Sequence, residues 1–86
     1  MITDTKDSYL IQTVAHFPER DLFLSYSSMA DEMMVFPYDA DGNVDYGNDV
    51  AYLKGASPWG FIENLAALGF SLDGVKIDYP TFIHRF

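Results

Sequence analysis

The chain has 86 residues and no cysteine, and its 13 acidic residues against five basic ones give a net charge of −8 at neutral pH. This length suits one small domain with a single core, and the lack of cysteine excludes disulfides, thiolate nucleophiles and zinc sites built on cysteine. The acidic balance disfavours nucleic acid and anionic membranes as direct partners, because both attract basic surfaces. It favours a partner protein with a basic surface.

The N-terminal stretch MITDTKD carries acids where a signal peptide would carry bases, and no apolar run reaches the roughly 20 residues needed to cross a bilayer. With the absence of cysteine, which agrees with a reducing compartment, these features predict a cytoplasmic protein. Aromatic residues make up 16% of the chain, which is a large share for a small core to hide. Exposed aromatic clusters often mark interfaces, so a homodimer or a subunit interface is also expected.

Residues 8–17, SYLIQTVAHF, are predicted to form the first helix, because their apolar residues recur at helical spacing. Pro18 disfavours a helical conformation at Phe17 and would end this helix. A strand is the alternative, because Ile11 and Thr13 are β-branched and several apolar residues also share parity.

Three runs with the alternation typical of strands follow, at residues 21–28, 32–38 and 43–53. Small and polar residues connect the first run to the second. Pro37 cannot donate a hydrogen bond to a ladder, so it belongs on an edge strand, at a bulge, or where its missing N–H faces outward.

The segment SPWGFIENLAALGF, residues 57–70, predicts a second helix. Ser57 suits its N-cap, Pro58 its first helical position and Gly69 the left-handed residue after its last turn. The apolar periodicity of the segment places Asn64 on the outer face of this helix.

The alternation of VKIDY, residues 75–79, predicts a last strand that Pro80 breaks, and TFIHRF forms a short apolar tail. Neither an internal repeat nor a linker divides the chain. Residues 1–86 are therefore expected to form one acidic α+β domain. Its antiparallel sheet would have about four strands and two helices on one face, in the order α-β-β-β-α-β.

The residues DADGN, which begin at Asp39, resemble the start of an EF-hand calcium loop, because oxygen-bearing side chains stand at its first three odd positions. The resemblance ends there. Val44 stands where such a loop needs glycine, and Val50 stands where it needs a bidentate glutamate. No metal and no cofactor is therefore expected.

The same stretch suits a three-residue hairpin loop, in which residues 39–42 form a type I turn closed by a left-handed glycine. This loop sets Tyr38 across from Val44 and Phe36 across from Tyr46, so that apolar residues pair on one face of the hairpin. A two-residue loop would mix polar and apolar residues in each pair. Because one face of a sheet must be buried, we expect the three-residue loop.

The opposite face of this hairpin would mix acids with apolar residues, with Met33 near Asp49 and Pro37 near Asp45. Residues 21–53 contain seven acids and no base. A solvated face kept soluble by its charge is the simpler interpretation. The alternative is a partner-binding surface, for which the candidates are Asp31, Glu32, Met33, Val35, Asp39, Asp41, Asp45 and Asp49.

The leading hypothesis for function is a non-enzymatic protein-binding module, an inhibitor that engages a basic surface of its target. In the sharpest form, the acids imitate nucleic acid phosphates. That profile, without a shared motif, is similar to small phage-type or immunity-type inhibitors. A homodimeric or subunit-interface module is the alternative. A small enzyme that uses His16 or His84 is less favoured, since neither histidine lies in a recognisable motif, and so is a calcium-binding protein.

Overall fold

The computed structural model describes residues 8–78 and 82–85. Within these residues the chain forms six strands and one helix: β1 (Tyr9–His16), β2 (Asp21–Ser27), β3 (Glu32–Phe36), β4 (Ala51–Lys54), α1 (Phe61–Ala67), β5 (Lys76–Ile77) and β6 (Phe82–Arg85). The strands form one antiparallel sheet in the order β4-β3-β2-β1-β5, and β6 also pairs with β1. The α+β class is confirmed, with more strands and fewer helices than expected.

The first segment is a strand, so the helix expected at residues 8–17 is wrong. Ile11, Thr13 and Ala15 are all 0% exposed and alternate with half-buried residues. Residues two apart on a helix point about 200° away from each other, so a helix could not bury all three positions. As a strand, β1 pairs with β2 along its length, from Leu10 opposite Ser27 to the last pair at the turn.

The core lies between one face of the sheet and α1. Thr13, Leu24 and Val35 stand side by side on three neighbouring strands, and all three are fully buried. The helix adds Phe61 and Leu65 to the same layer. Met33 and Val35 are therefore core residues at 0% exposure, and the expectation that they offer contact area to a partner is wrong. They lie on the sheet face that packs in this core.

The expected three-residue hairpin turn is confirmed. Tyr38 bridges Val44, the Asp39 N–H donates to the Asn43 carbonyl oxygen at 2.8 Å, and the Gly42 N–H donates to the Asp39 carbonyl oxygen at 3.0 Å. Gly42 has φ +83°, the left-handed conformation that this turn requires.

The expected strand at residues 43–53 is interrupted. Residues 46–49 leave the sheet in a second turn, in which the Asn48 N–H donates to the Asp45 carbonyl oxygen at 3.2 Å. When pairing resumes in β4, Met33 stands opposite Leu53, so its expected place near Asp49 is wrong. The expected neighbour of Pro37 is confirmed, since the Asp45 N–H donates to the Pro37 carbonyl oxygen at 2.9 Å.

The helix is shorter than expected at its start. It begins at Phe61 after Gly60, with no side-chain cap, so Ser57 is not its N-cap. The expectation that Asn64 faces outward is also wrong, since it is 4% exposed. Its Nδ2 donates to the Ser57 carbonyl oxygen at 2.8 Å, and its Oδ1 accepts from the Ser57 N–H at 3.2 Å. The expected end is confirmed by Gly69, at φ +91°.

The two ends of the chain contain expectations that the structure does not test. The stretch MITDTKD, with its acids in place of a signal peptide, lies outside the described residues, as do Tyr79 and Pro80 at the expected end of the last strand. Part of the expected apolar tail is β6, which pairs with β1 from Gln12 opposite Phe82 to Tyr9 opposite Arg85.

Candidate functional site

The sheet face opposite α1 carries an aromatic cluster, which consists of Phe23, Phe36, Tyr38 and Tyr46. Phe23 and Phe36 are only 5% and 6% exposed, although they lie on the face away from the helix. The ring of Tyr46 covers them edge-on, with its centroid 6.2 Å from that of Phe23 and 5.0 Å from that of Phe36. The segment after β3 therefore folds back over this face.

The acidic loop, residues 39–50, carries four aspartates: Asp39, Asp41, Asp45 and Asp49. Two of them shape the loop. The Asp39 Oδ1 accepts the backbone N–H groups of Asp41 and Asn43, each at 2.9 Å, and the Asp45 Oδ2 accepts the Asn48 side-chain amide at 2.9 Å. These hydrogen bonds fix the loop backbone and leave the four negative charges at or near the surface.

Within residues 8–78, the charges of the acidic loop have no cationic partner. Residues 8–78 contain 11 acids but only three lysines and arginines: Arg20, Lys54 and Lys76. The ion pairs within the described part of the chain involve His16 alone. The loop therefore projects an uncompensated negative field.

Exposed apolar side chains lie among these acids. Tyr46 is 61% exposed, Tyr52 is 58% exposed and Val50 is 39% exposed. Tyr52 stands opposite Met34, whose side chain is on the same sheet face as the aromatic cluster. We call the four aspartates with Tyr46, Val50 and Tyr52 the acidic–aromatic surface.

The structure divides the predicted partner-binding residues into three groups. The four aspartates of the acidic loop are brought together. Asp31 and Glu32 lie at the opposite end of β3, where Asp31 is exposed and accepts a hydrogen bond from the Tyr26 hydroxyl at 2.7 Å. Met33 and Val35 are buried in the core. Only the first group forms a single accessible surface.

His16 forms a second centre, with two carboxylates that the sequence analysis did not pair with it. Its Nδ1 lies 2.9 Å from the Asp21 Oδ1, and its Nε2 lies 2.8 Å from the Asp78 Oδ2. The hydrogen bond to Asp78, followed by that to Asp21, raises the pKa of His16 because both favour the charged imidazolium. When residues 9–16 are assigned as a strand, His16 stands across from Asp21. The predicted helix at residues 8–17 does not bring these two residues together.

The two carboxylates reach opposite nitrogens of the imidazole ring, so the three groups do not converge on one point. Among the described residues, no group of three or more histidines and acids could hold a metal ion. Both ring nitrogens of His16 are therefore engaged by carboxylates in this arrangement. His84 stands opposite Leu10 on β6, and its side chain lies outside the described ones.

A cleft of about 520 Å³ lies between the His16 centre and the hairpin turn. It is lined by Val14, His16, Arg20, Asp21, Pro37, Tyr38 and Gly42. Burial raises the pKa of the Tyr38 hydroxyl, and the nearby charge of Asp21 raises it further. The cleft is a recess beside the acidic loop, lined by both polar and apolar side chains.

In the described part of the chain, no helix combines the length and the apolar character that a bilayer crossing requires. No family model, curated protein or solved structure matches this chain.

Proposed function

We propose that this protein is a cytoplasmic, non-enzymatic binding module whose acidic–aromatic surface engages a basic surface on a target protein and thereby inhibits the target. The observation that carries this proposal is the segment 39–52. It sets four aspartates, which have no cationic partner within residues 8–78, around three exposed apolar side chains.

The two kinds of side chain have complementary roles in binding. Uncompensated charge speeds association with a partner of opposite sign and disfavours partners of like sign. Exposed tyrosines such as Tyr46 and Tyr52 provide large contact area with few rotatable bonds, and tyrosine is enriched at the energetic centres of interfaces. A surface with both can select a basic partner and hold it.

The acidic loop is also ordered before binding. Hydrogen bonds from its own backbone and amide groups hold Asp39 and Asp45, and the ring of Tyr46 packs on Phe36. A loop that is already fixed loses little conformational entropy when a partner docks, so more of the contact energy appears as affinity. This order supports a binding role over a merely solvated face.

In the most specific form of the proposal, the target binds nucleic acid and the aspartates occupy the positions of its phosphates. Basic sites that bind phosphate do so mainly through charge and hydrogen-bond donors. Exposed carboxylates can satisfy both. Competition with duplex DNA tests this form, because DNA should release a captured target of this kind.

A charge-reversal experiment tests the proposal with a matched control. In the loop variant, Asp41→Lys and Asp49→Lys change two exposed acids whose side chains hold no part of the loop. In the control variant, Glu63→Lys and Asp73→Lys make the same change in net charge away from the loop, in and after α1. Each is used as bait in its native cytosol, with quantitative comparison of captured proteins.

We expect the loop variant to lose at least tenfold of the captured target, while the control variant keeps most of it. Captured target should also fall with rising salt, because exposed charges are screened over about 8 Å at physiological ionic strength. Equal capture by both variants, or an equal loss in both, would show that the acidic–aromatic surface is not the binding site.

A homodimeric module is the second candidate, favoured by exposed apolar residues away from the acidic loop. Met29 is 76% exposed and Trp59 is 54% exposed. Sedimentation over a range of concentrations distinguishes the two candidates. A protein that stays monomeric at all concentrations would exclude the homodimeric module.

A further inference from the structure

We propose that the free edge of β4 accepts an extended, lysine- or arginine-rich segment of the target as an additional antiparallel strand. This inference rests on the proposed function, and it specifies the chemistry of the partner and the way in which it binds.

The terminal strand of the described sheet, β4, has one edge without a strand partner there. The Gly55 N–H donates to the Asp31 carbonyl oxygen at 2.6 Å, on the side of β3. Because hydrogen-bonding groups alternate in direction along an antiparallel strand, the backbone N–H and carbonyl groups of Tyr52 and Lys54 point to the free edge. An added strand would find two donors and two acceptors there.

The other side of the described sheet ends in two short strands, β5 and β6. There the outer side of β1 is already paired, by the two residues of β5 at one end and by β6 at the other. The ladder is therefore divided between two short segments. Ile83 on β6 is also an exposed apolar residue, but β6 includes a base, Arg85, whereas β4 lies beside the acidic loop.

The charges around β4 indicate what kind of strand it accepts. Asp49 precedes β4 and is exposed, and Glu32 lies on the neighbouring strand. The one base at this edge, Lys54, is directed away from it, because its Nζ donates to the Ala30 carbonyl oxygen at 3.0 Å, just before β3. A cationic segment would meet carboxylates here.

A second copy of the chain fits this edge less well. Two copies would bring together two acidic loops, each with four aspartates, and each chain carries a net charge of −8. Like charges brought together across an interface cost binding energy. A basic segment can make the same backbone hydrogen bonds to β4, and its charge is opposite to that of the acidic loop.

The test uses two variants at one position. Tyr52→Pro removes the outward N–H of Tyr52, and proline is tolerated on edge strands where the missing N–H faces outward. Tyr52→Ala removes the same aromatic ring but keeps the N–H, so the pair separates the backbone contribution from that of the side chain. The amide spectrum of each variant establishes that the rest of the sheet is intact.

The probe is a synthetic peptide of alternating lysine and valine, and the comparison peptide alternates lysine with glycine at the same length and charge. We expect the valine peptide to bind more tightly, because glycine disfavours the extended strand. Binding should slow hydrogen exchange at the Tyr52 and Lys54 amides at least tenfold. Tyr52→Pro should weaken binding at least tenfold more than Tyr52→Ala.

Three results would overturn the proposal. Strand addition is wrong if the valine peptide binds both variants equally and the Tyr52 and Lys54 amides stay unprotected. In that case, a loss of peptide binding in Asp41→Lys, Asp49→Lys would show that the proposed function still stands. If the wild-type protein binds neither peptide, strand addition is wrong, and the capture experiment with Asp41→Lys, Asp49→Lys decides the proposed function separately. If the protein alone dimerises and Tyr52→Pro makes it monomeric, a second copy occupies the edge.

Discussion

Asn64 offers the sharpest test of the core, because substitution by aspartate changes one polar group with almost no change of shape. Its amide lies nine-tenths buried in α1 and makes two hydrogen bonds to the backbone of Ser57, in the segment that follows β4. Asn64→Asp keeps the acceptor that faces the Ser57 N–H. It replaces the donor 2.8 Å from the Ser57 carbonyl oxygen with another oxygen.

The expected cost follows from these two contacts. The lost hydrogen bond contributes about 1 kcal/mol, and a buried charged oxygen without a donor adds about 1–3 kcal/mol. Asn64→Asp should therefore cost about 2–4 kcal/mol at pH 7. That is a large part of the stability of a domain this size, which is on the order of 4–13 kcal/mol.

The cost should depend on pH in a definite direction. Burial raises the pKa of the new carboxyl in the folded state, while in the unfolded state it stays near its ordinary value of about 3.9. Once protonated, the carboxyl can again donate to the Ser57 carbonyl oxygen. The charge penalty is therefore absent below about pH 4, where both states are protonated, and it grows as the pH rises to the folded-state pKa.

The measurement is urea unfolding followed by the fluorescence of Trp59, the one tryptophan of the chain, at pH 5, 7 and 8. Asn64→Ala is the control. It loses the two hydrogen bonds to Ser57 and the contact of Nδ2 with the Met33 Sδ, but it introduces no titrating group, so its cost should not change with pH. Two results would contradict the buried hydrogen bonds between Asn64 and Ser57. One is a loss of stability for Asn64→Asp below about 1 kcal/mol at pH 7, and the other is an equal loss at pH 5 and pH 8.

Three further predictions concern the turn, the histidine and a buried tyrosine. Gly42→Ala should cost about 1 kcal/mol in urea unfolding, because Gly42 has φ +83°; Gly47→Ala, which meets its neighbours at ordinary contact distance, should cost almost nothing, and equal costs would contradict the turn. The raised pKa of His16 should appear as an NMR titration midpoint above 6.5 that Asp78→Asn lowers. The two ion pairs of His16 should stabilise the fold fully below about pH 6.5, and this stabilisation should disappear as the pH rises through the folded-state pKa of His16. A titration midpoint that Asp78→Asn leaves unchanged would contradict the prediction. Burial and a hydrogen bond to a carboxylate raise the pKa of Tyr26 to about 12. Tyr26→Phe should therefore remove a tyrosine ionisation near pH 12 and cost about 1 kcal/mol, and an ionisation that persists there would contradict this assignment.

The hairpin turn could be predicted because its information is local. A turn that begins at Asp39 and closes with Gly42 needs only a few neighbouring residues, and the pairing of Tyr38 with Val44 follows from it. The end of α1 at Gly69 is local in the same way.

The strand β1 could not be assigned from its own residues, because SYLIQTVAHF fits helical and strand spacing alike. The deciding interactions come from distant parts of the chain, namely the ladder to β2 and the pairs with β5 and β6. Tertiary pairing outweighs local preference in such a segment.

The prediction of an acidic sheet face was wrong for a different reason. The prediction assumed that one pairing register continues from Tyr38 back to Met33. The turn at residues 46–49 changes the register, so that Met33 stands opposite Leu53. The shift leaves Met33 and Val35 on the sheet face where the prediction placed them, and they are buried because α1 packs on that face. The turn itself leaves the aspartates on a loop. A turn inside an apparent strand is difficult to foresee when its flanks alternate well on both sides.

The divided outer side of β1 has a consequence for biosynthesis. β1 begins at Tyr9, near the start of the sequence, yet its outer side is completed by β5 and β6, which begin at Lys76 and Phe82. While the chain is being made, β1 can pair with β2 early, but its other side stays open until these late residues have emerged. Such long-range closure slows folding, and an unpaired strand edge invites association with other chains. Chains that stop before Lys76 should therefore aggregate, even though they contain nearly the whole core.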